Sequence, residues 1–170
     1  VLARFPMTFR PCATKARLRP CKAATSATAR GYQLHMHAIG DAAVRTALDV
    51  VAAVKPTIPA VIAHSELVAD ADLPRFAELN VTANLQPLWA REDGQLLTCV
   101  PQVGRQRLDT MYRMRDLLTA GTRLAFGSDW PVSSPNPWNA IAQASTRKGP
   151  LGVLNSAESI DRETMFQAYT

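Results

Sequence analysis

Residues 33–64 read QLHMHAIGDAAVRTALDVVAAVKPTIPAVIAH, and this stretch decides the fold. Near its two ends, residues 33–37 and the apolar run over 60–63 are typical of strands. The apolar side chains between them keep helical spacing from Asp41, which we expect to cap the helix, to the Lys55-Pro56 pair that ends it. A strand, a helix and a second strand in this order predict a βα unit with parallel strands.

The same alternation continues along the rest of the chain. The pattern predicts a helix over residues 72–79, a strand over 81–85, a longer polar connection over 91–107, a helix over 108–118 that Gly121 ends, and a strand over 123–126. A further helix opens at Asn136-Pro137, and a last one begins near Asp161. The fold class is therefore predicted to be α/β, with four βα units within residues 31–170.

The two later helices also carry predicted inner faces. In the helix that opens at Asn136-Pro137, we expect Trp138, Ile141 and Ala142 to face the core. In the helix over 108–118, one face is expected to hold Leu108, Met111, Met114, Arg115 and Leu118.

The net charge is concentrated in one segment. The chain has 170 residues, of which 47% are hydrophobic, and a formal net charge of +5. Residues 1–30 carry seven basic residues and no acidic ones, whereas the other 12 basic residues stand against 14 acidic ones. We therefore expect residues 1–30 to be a basic leader that is disordered or non-native, followed by one folded domain over residues 31–170, and we expect no nucleic-acid partner.

The cysteine pattern and the hydropathy of the chain indicate which cellular compartment to expect. Cys12, Cys21 and Cys99 are an odd number with no CxxC pair, so no disulfide framework is indicated and a cytoplasmic protein is expected. No apolar run approaches the roughly 18 to 20 residues of a membrane span, and the N-terminus lacks the pattern of a signal peptide. The sequence thus predicts no membrane partner.

Three polar side chains follow predicted strands at equivalent places, namely His37, His64 and Asp129. Parallel βα proteins carry their catalytic residues at the carboxyl ends of the strands. A single histidine there is more often a hydrogen-bonded structural residue, but three such groups together indicate a metal site. Imidazole and carboxylate ligands suit zinc, iron or manganese, and such a site can lower the pKa of a bound water to about 7. Asp129 could then take the proton of that water.

Four motifs resemble a known family. They follow one another in the order His37-Ala38-Ile39-Gly40-Asp41, Ile62-Ala63-His64-Ser65-Glu66-Leu67-Val68, Leu85-Gln86-Pro87 and Gly127-Ser128-Asp129-Trp130-Pro131-Val132. In that order they resemble the last four βα units of the amidohydrolase superfamily, specifically its amidohydrolase-3 branch. The resemblance covers roughly residues 31–170.

This resemblance implies a TIM-barrel hydrolase that acts on carbon–nitrogen bonds of small molecules, in non-peptide amides or cyclic amides, through a metal-activated water. It implies one or two divalent metal ions, most often zinc. His37 and His64 match the ligands after strands five and six, and Asp129 matches the aspartate after strand eight that binds metal and acts as the catalytic base. Gln86 would stand near the substrate, whereas Glu66 replaces a glutamine that is common in this branch.

His35 introduces an alternative placement. His35-Met36-His37 also matches the histidine pair that opens such barrels on strand one, and residues i and i+2 of a strand share a face. A strand-one placement would need two further histidines and usually a lysine on later strands, and only His64 remains. We therefore place this motif on strand five, with His35 as a deeper barrel-lining residue.

Four strands are half of a (β/α)8 barrel, which takes roughly 250 residues. We therefore expect a partial TIM barrel that is inactive by itself. An alternative is a non-catalytic remnant, or a half-barrel subunit that needs a partner chain. Because an open parallel half barrel exposes two strand edges, we expect association with a complementary half barrel or with a second copy.

Overall fold

The computed structural model describes residues 15–170, with side chains from residue 19 onward. Within this range the strands form a four-stranded parallel sheet in the order β1-β2-β3-β4. The strands are β1 (His35–Ala38), β2 (Val61–His64), β3 (Thr82–Leu85) and β4 (Arg123–Phe126). Because all three pairings are parallel, the four carboxyl ends lie along one edge of the sheet.

Helices connect and follow the strands. They are α1 (Lys15–Thr28), α2 (Asp41–Val54), α3 (Leu73–Glu78), α4 (Gly94–Leu97), α5 (Val100–Val103), α6 (Arg105–Leu108), α7 (Met114–Thr119), α8 (Pro137–Thr146) and α9 (Arg162–Gln167). Short 3-10 helices span Asp70–Asp72, Pro87–Trp89 and Ser156–Glu158. Among the helices so described, none is long and apolar enough to cross a membrane.

The two faces of the sheet differ in polarity, as the alternation of side chains along a strand requires. One face is apolar and buried with the helices in the core; its residues include Ala38, Ile62, Ala83, Leu85 and Phe126. The opposite face begins with His35 and His37, both exposed, and ends with the exposed Arg123. The polar face of the sheet is therefore open at β1 and β4.

The predicted strands agree with the structure to within two residues, but the third crossover differs from its prediction. The polar connection over 91–107 contains the helices α4 and α5 and most of α6, each of four residues. The helix predicted over 108–118 begins only at Met114, because Tyr112 has a φ of 56° in the left-handed region and cannot belong to a helix. The buried face of α7 consists of Met114 and Leu117, so the prediction that Arg115 and Leu118 share the core face is wrong.

Helix α8 begins where the sequence predicts but turns a different face inward. The side chain of Asn136 accepts a hydrogen bond from the backbone N–H of Trp138, which confirms the predicted cap. Trp138 is 65% exposed and Ala142 is also exposed, contrary to expectation. The buried face is instead formed by Ala140, Ile141, Gln143 and Ala144. The helix thus turns the side that carries Gln143 toward the core.

The N-terminal segment also differs from its prediction. Residues 15–28 form helix α1, and Ala24 is buried in the common core. The prediction of a disordered leader is therefore wrong for this part, while residues 1–14, with Cys12, lie outside the described residues. Cys99 is a free cysteine, whereas Cys21 is disulfide-bonded, which the cysteine pattern did not predict.

Candidate active site

The imidazoles of His37 and His64 meet at the carboxyl edge of the sheet. His37 lies in β1 and His64 is the last residue of the neighbouring strand β2. Their ring centroids are 4.3 Å apart, with an angle of 65° between the ring planes. The structure thus brings together two of the three predicted metal ligands.

An unusual backbone conformation makes this meeting possible. His64 pairs with Ala38, and strict alternation would turn its side chain toward the apolar face that Ile62 occupies. Instead, His64 has a φ of 74° and Ser65 a φ of 46°, both in the left-handed region that costs about 1–3 kcal/mol for a residue other than glycine. The backbone N–H of Ser65 donates to the carbonyl of Ala38 at 2.8 Å, which holds the turn against β1.

A chain of side-chain hydrogen bonds orients the ring of His64. Its Nδ1 donates to Oε1 of Gln86 at 2.8 Å, and Nε2 of Gln86 donates to Oδ1 of Asn84 at 3.0 Å. An imidazole whose Nδ1 carries the proton presents Nε2 with a free lone pair, and a partner of this kind is typical of metal-binding histidines. Gln86 is only 3% exposed, so its contacts favour orienting His64, and its predicted role in substrate binding stays a prediction.

The surroundings of His64 favour its neutral form. Burial lowers the pKa of His64, and positive charge on His37 or His35 would lower it further, while the bond to Gln86 and the carboxylate of Asp129 act in the opposite direction. Trp89 stacks on the ring, with centroids 5.8 Å apart and planes 4° from parallel. The neutral imidazole is the form that binds a metal ion.

Asp129, the third predicted ligand, lies on the same edge but does not complete a cluster. It follows β4 by three residues, is exposed, and has a φ of 53°. Its negative charge acts to raise the pKa of His64. Within residues 15–170, however, no group of three or more His, Cys, Asp or Glu side chains is arranged to hold a metal ion. The roles of His37, His64 and Asp129 as metal ligands therefore stay predictions.

A cavity of about 340 Å³ adjoins this edge. Trp89 lines the cavity and also stacks on His64, so the two features share a wall. Glu66 and Tyr112 both line it, and the backbone N–H of Tyr112 donates to the carbonyl of Glu66 at 2.8 Å. The sequence noted Glu66 only as a departure from the family pattern, and it missed Tyr112, which had been assigned to a helix.

The chain has a parallel sheet of βα units, with two imidazoles and a cavity at the carboxyl ends of the strands. This arrangement is typical of α/β enzymes, whose active sites lie at those ends. The sequence profile of the amidohydrolase family matches residues 16–170. This chain belongs to the amidohydrolase family, in its amidohydrolase-3 branch. Because the match begins at residue 16, it includes helix α1 as well as the sheet.

Two curated proteins are similar to this chain. Protein LONG AFTER FAR-RED 3 of Arabidopsis thaliana is 32% identical over 126 residues, which cover 71% of this chain and 21% of that protein. The putative amidohydrolase YtcJ of Bacillus subtilis (strain 168) is 26% identical over 121 residues, which cover 70% of this chain and 22% of that protein. The chain thus spans about a fifth of the length of the curated relatives it matches.

Two solved structures are similar as well. An uncharacterized metal-dependent hydrolase from Pyrococcus horikoshii OT3 superposes with a TM-score of 0.78, and one from Pyrococcus furiosus with 0.75. Each is 30% identical, and each match covers 91% of this chain and 31% of the solved chain.

Proposed function

We propose that this chain forms the metal-binding part of a hydrolase that cleaves a carbon–nitrogen bond in a small non-peptide or cyclic amide. The observation that carries the proposal is the 4.3 Å contact between the rings of His37 and His64 at the carboxyl edge of a parallel sheet. Family membership supports hydrolysis, and the Pyrococcus proteins are described as metal-dependent hydrolases. YtcJ is described as a putative amidohydrolase.

The donor set fits a divalent cation, with zinc as the first candidate. Two adjacent imidazoles and a carboxylate that follows another strand of the same sheet are ligands that zinc accepts in catalytic sites. His37, His64 and Asp129 would hold the ion, and the Gln86 contact fixes the tautomer of His64 that leaves Nε2 free. A bound divalent cation would lower the pKa of a water to about 7, so that the water could attack an amide carbonyl at neutral pH.

The residues of this chain would divide the remaining work. Asp129 would take a proton from the attacking water and deliver it to the leaving nitrogen, which needs a proton to depart as an amine. Gln86 and Asn84 would keep the ring of His64 in place. Trp89, between the imidazoles and the cavity, would hold the substrate beside the reacting atoms and keep bulk water away.

We further propose that the sheet is the last four βα units of a TIM barrel, and that hydrolysis needs the other strands. The sequential strand order and the open polar face are what half of such a barrel would have. The same features support the alternative of a half-barrel subunit that pairs with a complementary chain. A cytoplasmic location likewise stays a prediction.

Zinc titration of the full chain tests the metal site. His37→Ala combined with His64→Ala is expected to weaken zinc binding at least tenfold, because the site loses both imidazole ligands. His35→Ala is the matched control, since His35 lies two residues before His37 on the same face. Unchanged zinc affinity in the double variant would remove the proposed function. Equal losses in His35→Ala and His37→Ala would instead favour the strand-one histidine pair.

A further inference from the structure

The cavity beside the histidines has an apolar body and a small number of charged groups. Leu88, Trp89 and Leu96 provide apolar surface, and Tyr112 adds a buried aromatic side chain that is only 5% exposed. A volume of about 340 Å³ is at the lower end of the range that small-molecule sites have. The cavity therefore suits a compact ligand or the side group of a larger one.

The charged side chains that line the cavity leave one negative charge without a partner. Nε of Arg91 donates to Oδ2 of Asp93 at 2.9 Å, and Oδ1 of Asp93 accepts from the backbone N–H of Leu96 at 2.9 Å as the cap of α4. These two side chains neutralise each other. The backbone carbonyl of Glu66 accepts a hydrogen bond from the N–H of Tyr112 at 2.8 Å, and no lysine or arginine among residues 19–170 forms an ion pair with the Glu66 carboxylate. The cavity wall is left with one uncompensated carboxylate.

We propose that this cavity binds a cationic group of the substrate, such as a primary ammonium, with Glu66 as its carboxylate partner and Trp89 as its aromatic wall. A partly buried carboxylate without a cation gains more from an ammonium group than from a neutral or anionic one, because the pair forms a charge-assisted hydrogen bond. The face of an indole adds cation–π attraction. The proposal deepens the proposed function, since it assigns a substrate class to the same site, but binding in the cavity requires no metal ion.

Three probes of one shape test the charge preference of the cavity. The full chain is titrated at neutral pH with benzylamine, a cation, with benzyl alcohol, which is neutral, and with phenylacetate, an anion, while tryptophan fluorescence and calorimetry report binding. Benzylamine is expected to bind at least tenfold more tightly than either of the others, as a charge-assisted hydrogen bond implies. Equal affinity for benzyl alcohol, or tighter binding of phenylacetate, would overturn the proposal.

Variants then connect the preference to Glu66. Glu66→Gln keeps the shape and the backbone hydrogen bond with Tyr112 but removes the charge, and it is expected to weaken benzylamine binding roughly tenfold. The matched control Glu78→Gln changes an exposed carboxylate of α3 and is expected to have no effect. Unchanged benzylamine affinity in a folded Glu66→Gln variant contradicts the proposal. If that variant does not fold, the ranking of the three probes on the unmodified chain decides.

The result is separable from the proposed function. His37→Ala is expected to weaken zinc binding and to leave benzylamine binding intact, because His37 does not line the cavity. Benzylamine binding without zinc binding would support the cavity and refute the hydrolase proposal. Zinc binding without a preference for benzylamine would support the hydrolase proposal and refute the cation site in the cavity.

Discussion

The left-handed backbone at His64 is the feature on which the site depends. It turns an imidazole from the apolar face of the sheet toward His37, and Gln86, Trp89 and the end of β1 hold it there. Residues in such conformations persist only where their surroundings fix them, and they are concentrated at functional sites. Loss of one of these contacts should therefore be measurable as weaker zinc binding at the proposed metal site.

Gln86→Ala removes the acceptor of the His64 Nδ1 proton. Because the ring is then free to change tautomer and orientation, zinc affinity is expected to fall about 10- to 100-fold. Calorimetric titration of the full chain with zinc measures the loss, and Gln167→Ala on the exposed side of α9 is the matched control. Equal zinc affinity in Gln86→Ala and Gln167→Ala would show that Gln86 does not position the ligand.

At the residue scale, the sequence predicted the positions of the candidate metal ligands along the chain but not the directions of their side chains. His37 and His64 were located because each follows an apolar run that predicts a strand, and they do meet. The alternation of side chains alone would separate them, and no residue type signals a φ of 74° at a histidine. Tyr112 was missed for the same reason, since a φ of 56° interrupts an otherwise helical pattern.

At the scale of elements, Asp72 joins α2 to the segment before α3. Its carboxylate is 1% exposed, and it pairs with Arg45 at 2.6 Å and with Arg75 at 2.8 Å. Asp72→Ala leaves two partly buried guanidinium groups without this carboxylate, and the free energy of unfolding is expected to fall by about 3 kcal/mol. Urea unfolding followed by circular dichroism measures it. Asp109→Ala, at an exposed position, is the control, and equal stability of the two variants would contradict the expectation.

Arg147 connects α8 to the loop that carries Tyr112. This fully buried side chain donates to the carbonyls of Leu154 at 2.5 Å and of Tyr112 and Met111 at 3.1 Å each. Burial lowers the pKa of Arg147 to about 10, so the group stays charged at neutral pH and its bonds are charge-assisted.

Arg147→Met fills a similar volume but removes the donor to the carbonyls of Met111 and Leu154, whereas the carbonyl of Tyr112 still accepts from the backbone N–H of Met114. The free energy of unfolding is expected to fall by about 3–5 kcal/mol, because unpaired buried polar groups are costly. Thermal and urea unfolding measure this loss, with Arg30→Met at an exposed position as control. A variant as stable as the control would mean that the carbonyls find other partners, and Arg147 would then have no structural role.

The elements themselves were largely predictable, because short segments with strand patterns alternate with longer helical patterns. Pro56 marks the end of α2, and Gly121 precedes the strand β4. Asn136 and Asp161 are the N-caps of α8 and α9. Helices α4, α5 and α6 were missed since each is a single turn of four residues, too short for a helical period to register. The burial of Gln143 in place of Trp138 reflects tertiary packing and not hydrophobicity.

At the scale of the whole molecule, the sheet has two edges and an open polar face. Trp138 and Phe166, 65% and 51% exposed, also stack on each other beside a second cavity, of about 350 Å³. The chain spans 31% of the Pyrococcus hydrolases it resembles, so their activity is assigned to it only as a proposal.

Size-exclusion chromatography of the full chain is expected to show species larger than one chain, because open strand edges and exposed aromatic surface favour association. Trp138→Ser should shift the profile toward a single chain, whereas Leu151→Ser, which changes a separate exposed residue, should not. A concentration-independent monomer in the unmodified chain would contradict this expectation and the half-barrel proposal behind it.

The central claim is that two imidazoles and one carboxylate, from the carboxyl ends of β1, β2 and β4, share a divalent cation. Zinc-edge X-ray absorption on the full chain with one equivalent of zinc tests it most directly. The claim predicts a coordination shell of nitrogen and oxygen only, with two imidazoles at about 2.0–2.1 Å, and loss of the imidazole signal in the His37→Ala, His64→Ala variant. A sulfur ligand, or a spectrum of hydrated zinc that the double substitution leaves unchanged, would contradict it.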